Sequence, residues 1–292
     1  MIERILGIVF PVYAIVAAGF FYGRWAKPDL RFANQLNMDI FVPALVFAAL
    51  ASKSFDITHN LGLFAGGIAV VLGAGLLSWP LARALGVAPN TFVPPMMFKN
   101  SGNMGLPLMT LAFGEAALPA AVVLFFVENT LHYSLGTWML DHRAKLTNLW
   151  KVPVIAAALA GQAISLFQLP LWQPAWLAVK MLGDVSIPLL LFSLGVRLTD
   201  AHLGDWKISL AGALVSPATG IVVALAVTPL LELAPRDAAM LLLFGALPPA
   251  VLNYVFAERY HQEPERVASI VMVGNTLSLA VIPLVLAYVL RG

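Results

Sequence analysis

The 292-residue sequence contains no cysteine, which excludes a disulfide framework, a thiolate nucleophile, a thiolate metal site and an iron–sulfur cluster. Its histidines are few and scattered, at His59, His132, His142, His202 and His261. They make no HExxH or other zinc spacing, so no metal site and no cofactor are expected. Neither a Walker loop nor a GxSxG elbow occurs, and an enzyme is not expected. Charge is scarce as well: 11% of residues are charged, against roughly 25% in a soluble domain. The formal net charge of +2 has no clustered basic patch behind it, so nucleic acid is not an expected partner.

Apolar sequence fills the space. Hydrophobic residues make up 60% of the chain, and Asp, Glu, Lys and Arg are absent from 5–23, 57–82, 152–179, 208–231, 238–257 and 267–290. Most of these stretches reach the roughly 20 residues that cross a bilayer as a helix. Ten spans are expected, at 4–23, 32–51, 60–84, 90–111, 115–140, 151–168, 173–197, 206–231, 236–257 and 264–290. The first lacks a basic leader and a small-residue exit, so it reads as a retained span. The longest connection runs only from Asp141 to Trp150.

Lys and Arg distribute unevenly over these connections. Eleven (Arg24, Lys27, Arg31, Arg83, Arg143, Lys145, Lys151, Arg197, Lys207, Arg259 and Arg266) fall on one side, and four (Arg4, Lys53, Arg236 and Arg291) on the other. The positive-inside rule then predicts both termini outside the cytoplasm in a multi-pass protein of the inner (plasma) membrane.

The two halves match each other in four places and in the same order. Pro11-Val12-x-Ala14-x-x-x-Ala18-Gly19 matches Pro153-Val154-x-Ala156-x-x-x-Ala160-Gly161, and Asp39-x-x-x-Pro43-x-Leu45-x-Phe47 matches Asp184-x-x-x-Pro188-x-Leu190-x-Phe192. Pro94-Pro95 followed by Asn100 matches Pro248-Pro249 followed by Asn253, and Asn129-Thr130-Leu131 matches Asn275-Thr276-Leu277. The pattern predicts an all-α integral membrane fold of ten transmembrane helices in two five-helix repeats, 1–140 and 151–292, joined by a cytoplasmic connection at 141–150. Five is odd, so the second copy enters the membrane inverted, which is the architecture of secondary transporters.

Spans four and nine carry the helix breakers. Between Pro94 and Pro107 lie three prolines, Gly102, Gly105, Asn100 and Asn103, and span nine holds Pro248, Pro249, Asn253 and Tyr254. Broken helix is tolerated at membrane depth only where it packs in protein or lines a polar cavity. A half-helix restarting there offers backbone N–H groups and a positive dipole end to an anion.

The run Asn100-Ser101-Gly102-Asn103-Met104-Gly105-Leu106-Pro107, the second proline pair with Asn253, and ten short-looped spans resemble the auxin efflux carrier family. Within it the resemblance is specifically to the compact bacterial members described as malate or malonate permeases. The resemblance implies a fold similar to that of the plant PIN-formed carriers and the bile-acid sodium symporters. In that fold spans one, two, six and seven form a scaffold, and spans three to five and eight to ten move as a transport unit. The short central connection differs from the long cytoplasmic loop of the plant carriers, which turns the expected substrate away from auxin.

Ionisable residues inside spans are functional candidates by default. They are Asp39, Lys99, Glu128, Lys180 and Asp184. Pro43 and Pro188 each free the carbonyl four residues earlier, so Asp39 and Asp184 are expected to join a carboxylate to an unpaired backbone oxygen, a pairing suited to a sodium ion or a proton. Lys180 stands one turn before Asp184 and can simply neutralise it; Glu128 and His132 can likewise satisfy each other. Lys99 can meet an anionic substrate or snorkel towards solvent.

The function expected is elevator-like secondary transport of a small organic anion, a mono- or dicarboxylate, coupled to H+ or Na+ or working as a uniporter. Lys99, Asn100, Ser101, Gly102, Asn103, Asn253 and Tyr254 are the candidate substrate site, with Asn129 and Asn275 completing the pocket or bracing the breaks. Asp39, Glu128, Lys180 and Asp184 are the candidates for ion coupling. The partners are the anion and the bilayer, with a homodimer left open. A channel or receptor for an organic acid is the alternative. An intramembrane aspartyl protease is more remote, because Met38 precedes Asp39 and Met181-Leu182-Gly183 precedes Asp184, neither being the motif such enzymes use.

Overall fold

The computed structural model describes residues 2–51, 57–142, 152–200 and 205–290. Most of the central connection, with Arg143, Lys145 and Lys151, and also Lys53 and Arg291, lies outside them. Among the described residues every regular element is helical. Helix α1 covers Ile2–Ala26; α2 (Arg31–Leu36) runs through a π-helical turn at Asn37–Phe41 into α3 (Val42–Leu50); α4 covers Ile57–Ala84. Next come α5 (Pro89–Met97), α6 (Leu106–Phe113) and α7 (Leu118–Leu131), which continues through a π turn at His132–Gly136 into α8 (Thr137–Leu140). The second half holds α9 (Pro153–Leu166), α10 (Gln173–Asp184), α11 (Ser186–Arg197), α12 (Trp206–Val227), α13 (Pro235–Ala246), α14 (Leu252–Arg259) and α15 (Pro264–Val289).

Among the described residues seven runs are long and apolar enough to cross a membrane: Ile2–Ala26, Arg31–Leu50, Asn60–Ala84, Glu115–Leu140, Gln173–Arg197, Trp206–Val227 and Pro264–Val289. Their outer faces are apolar too, with Phe10, Trp25, Leu76, Leu214 and Leu284 all exposed. Helices that are hydrophobic all round need either a protein core or lipid around them, and here lipid is what remains. Helix α9, with 14 residues, is a shorter apolar helix. The other two stretches expected to span, 90–111 and 236–257, are each interrupted: α5 stops at Met97 and α6 resumes at Leu106, while α13 stops at Ala246 and α14 resumes at Leu252.

Helix packing falls into two groups. Helix α1 lies along α11, and α3 along α9 and α10; in the other group α12 packs on α4, α13 and α15, and α4 on α5 and α7. Glycine sets the closest approaches. A Cβ on Gly19 of α1 would collide with the backbone of Phe192 on α11, and one on Gly161 of α9 would meet the carbonyl oxygen of Phe47 on α3 at 3.0 Å. Small residues without a Cβ let membrane helices approach backbone to backbone, where dispersion and weak Cα–H contacts accumulate. Gly19 and Gly161 occupy matching places in the two halves, as do Phe47 and Phe192, so the same contact is made twice with the halves exchanged.

Candidate functional site

The two interruptions meet. Lys99 and Pro249 form an antiparallel bridge, in which the Asn100 N–H donates to the Pro248 carbonyl at 2.7 Å and the Ala250 N–H to the Phe98 carbonyl at 2.9 Å. Each break thereby supplies the backbone partners the other lacks, which is how non-helical chain survives away from water. Pro248 and Pro249 lie in the second break itself. Pro94 and Pro95, expected at the first, sit inside α5, and the break falls after them at Phe98–Asn100, where Phe98 turns extended. The Phe98 N–H still bonds the Pro94 carbonyl at 2.9 Å, so the prolines cost α5 two donors without ending it.

Side chains lock the crossing. The Asn253 amide donates to the carbonyls of Phe98 (3.0 Å) and Ala250 (2.9 Å), one in each break. Asn275 of α15, only 4% exposed, donates to the Pro249 carbonyl at 3.0 Å and to the Val271 carbonyl at 2.7 Å, and accepts from the Asn100 amide at 2.8 Å. Its amide is committed to bracing. Asn129, its counterpart in the first half, donates to the Phe125 carbonyl of its own helix and to Glu128. The Asn100 carbonyl in turn accepts from Met104 and Gly105, drawing Ser101–Gly105 into a π-helical turn. Such turns cluster at functional sites. Gly102 and Asn103 lie half-buried in it.

Lys99 is fully buried. Its ammonium donates to the Ser216 carbonyl at 2.5 Å and to the Ser216 hydroxyl at 2.9 Å on α12. It therefore neither snorkels nor lines the large cavity described next. Glu128, also buried, accepts from the Ser101 hydroxyl at 2.7 Å and stands 3.3 Å from His132 Nδ1. Lys180 and Asp184 form an ion pair at 2.8 Å on an exposed face of α10, and Asp39 is exposed on the π turn ahead of α3. These three are solvent- or lipid-exposed, at least in part, whereas Lys99, Asn100, Ser101 and Asn253 of the crossing are buried.

A cavity of about 860 Å³ opens between the packing groups. One wall comes from Pro28–Arg31, Asn34 and the end of α11, the other from α14 and α15, and it reaches Tyr254 and Asn275 beside the crossing. Asp29, Arg31, Arg197, Glu258 and Glu265 give its walls charges of both signs, while Leu194, Val251, Val271 and Met272 supply apolar surface. A mostly apolar cleft with a few convergent polar groups is what a small-molecule site requires. Buried Asn37, in the π turn after α2, and Ser186 and Ser193 of α11 carry side-chain polar atoms with no hydrogen-bond partner among the described residues. Nothing in the sequence distinguished these three, since a lone Asn or Ser within a span is ordinary.

Residues 145–286 match the family model described as membrane transport protein. An uncharacterized transporter of Methanocaldococcus jannaschii is 24% identical to this chain over 307 residues, covering 96% of this chain and 97% of that one. Both findings agree with a many-helixed apolar chain built around two paired breaks: the second half of the chain carries a membrane transport protein domain, of the auxin efflux carrier type, and the chain is a transporter, not an enzyme.

Proposed function

We propose that this transporter is a secondary carrier of small organic anions, mono- or dicarboxylates, working by alternating access. In this reading α5–α6 and α13–α14 are spans four and nine of ten, crossing between two inverted five-helix repeats. Helices α1–α3 and α9–α11 are the scaffold, against which α4–α8 and α12–α15 move as one body. The observation that carries it is the antiparallel pairing of the two breaks around Lys99 and Pro249, beside a cavity lined from both groups of helices. The exchanged glycine contacts of Gly19 and Gly161 support the inverted repeat. In this reading the cavity mouth, with Arg31 and Arg197, opens to the cytoplasmic side, which the asymmetry of the loop charges supports.

A thermal-shift screen of organic acids on the purified protein, with and without sodium, tests the substrate class. A ligand held only by the folded state at one hundred times its Kd adds about 2.7 kcal/mol of apparent stability. Stabilisation by C3 to C5 carboxylates and not by their amides is the expected result; stabilisation by organic cations or neutral solutes alone would sink the proposal.

Topology can be tested without background labelling because the chain has no cysteine. Single cysteines replacing Glu115 and His261, both exposed, should react with an impermeant maleimide from opposite faces, Glu115→Cys from outside and His261→Cys from the cytoplasm. The same sidedness at both would rule out the ten-span arrangement.

A further inference from the structure

Glu128 and His132 are buried together beside the crossing, with side-chain exposures of 4% and 2%. The carboxylate is used unevenly. Its Oε2 accepts from the Ser101 hydroxyl and, at 3.2 Å, from the Asn129 amide, whereas Oε1 has no hydrogen-bond donor. His132 Nδ1 has no partner either, and it faces Oε1 at 3.3 Å. Two bare lone pairs at that separation repel, so a proton belongs between them.

The imidazole is held in place by the first break and by α14. Its ring stacks on Phe98 of the first, with centroids 4.0 Å apart and planes 6° from parallel, and meets Phe256 of α14 edge-on at 4.9 Å. A Cβ on Gly136 would come within 2.9 Å of both the His132 and the Phe98 rings, which explains why glycine stands there. On another side His132 and Asn253 line a small cavity of about 10 Å³, room for roughly one water. The Asn253 Oδ1 is buried and has no donor.

We propose that Glu128 and His132 are the proton-binding pair of the carrier, and that the coupling ion is therefore H+. The proposal rests on the carrier reading above and selects among its coupling candidates. With one proton between Oε1 and Nδ1 the pair carries one negative charge. A second proton on the imidazole makes a carboxylate–imidazolium pair without net charge, with Asn253 Oδ1, directly or through one water, as the acceptor for the added N–H. An uncompensated charge is expensive at membrane depth, and a paired one far less so. Loading and unloading the pair thus changes the net charge that the transport unit carries as it moves across the membrane. Among the described residues no other charge is bonded to it: Lys99 is turned to Ser216, while Tyr133 on the same helix lies within electrostatic reach of Glu128, Arg259 and Asp39.

The test uses the full chain, with histidine labelled by 15N, in lipid nanodiscs, the His132 signals being assigned by their loss in His132→Gln. On acidification they should pass from the neutral to the cationic form in the wild type. In Glu128→Gln, whose amide can donate to Nδ1 without any extra proton, they should stay neutral. A His132 that keeps one form throughout in the wild type, or titrates unchanged in Glu128→Gln, overturns the proposal. Should Glu128→Gln not fold, Ser101→Ala removes one donor to Oε2 and should move the midpoint; an unmoved midpoint overturns it as well. Uptake of labelled L-malate into proteoliposomes under an imposed pH gradient supplies the coupling readout. Stimulation should rise by up to about tenfold per pH unit and disappear in Glu128→Gln and His132→Gln, and stimulation persisting in both overturns the proposal. Absence of malate uptake by the wild type would instead count against the substrate class, leaving the His132 titration to decide.

Discussion

Replacing Gly220 with alanine should leave little folded protein, although alanine is the better helix former by about 1 kcal/mol. Gly220 of α12 and Gly245 of α13 face each other with no side chain between, and a Cβ on either would drive into the other's backbone carbonyl. Neither atom is the end of a flexible side chain, so the helices themselves must separate. Overpacking that moves backbone costs about 1–3 kcal/mol and sometimes more, which exceeds the propensity gain. The contact also holds α13, whose end leads into the second break, against α12, whose Ser216 holds Lys99. A shift there reaches the crossing. Gly7 of α1 is the control, since a Cβ there meets nothing within 4 Å; Gly7→Ala should retain wild-type stability or gain up to about 1 kcal/mol. Thermal unfolding in detergent measures both, and equal stability of the two variants would mean that α12 and α13 do not pack on these glycines.

Much of the fold was legible because its causes are local. The apolar runs and scarce charges gave the membrane class, and the Asn and Gly run from Asn100 to Gly105 marked an interruption that the structure places there. The i,i+4 pair of Lys180 and Asp184 was equally plain. What stayed out of reach depends on distant partners. Pro94 and Pro95 looked like the break, yet a proline only removes its own donor, and α5 continues because Phe98 can still bond Pro94. The spacing of Glu128 and His132 suggested a satisfied local bond; only Ser101, Phe98 and Phe256, brought in from other elements, reveal the uneven use of the carboxylate oxygens. Lys99 looked free to meet an anion or to reach solvent, because its partner Ser216 is 117 residues away. The glycines at positions 19 and 161 were visible as a repeated pattern, while their reason, a carbonyl on the facing helix, required the packed structure.

Asn275→Leu should be far more damaging than Asn129→Leu, even though the two asparagines occupy matching positions in the two halves. Losing the Asn275 amide removes the donor to the Pro249 carbonyl and the acceptor for the Asn100 amide. The Val271 carbonyl matters less, because it belongs to the same helix and keeps its backbone partner. Each buried group left without a partner costs about 1–3 kcal/mol, so the crossing should lose about 2–6 kcal/mol. In Asn129→Leu the Phe125 carbonyl lies on the same helix and Glu128 Oε2 keeps the Ser101 hydroxyl, so the loss should stay near 1 kcal/mol. Unfolding of the two purified variants, compared with wild type in one detergent, gives the difference directly. A large gap means that, of these two helices, α15 braces the paired breaks and α7 is left free to carry the Glu128–His132 pair. Equal losses would show that the bonds from Asn275 to the two breaks do not hold the crossing together.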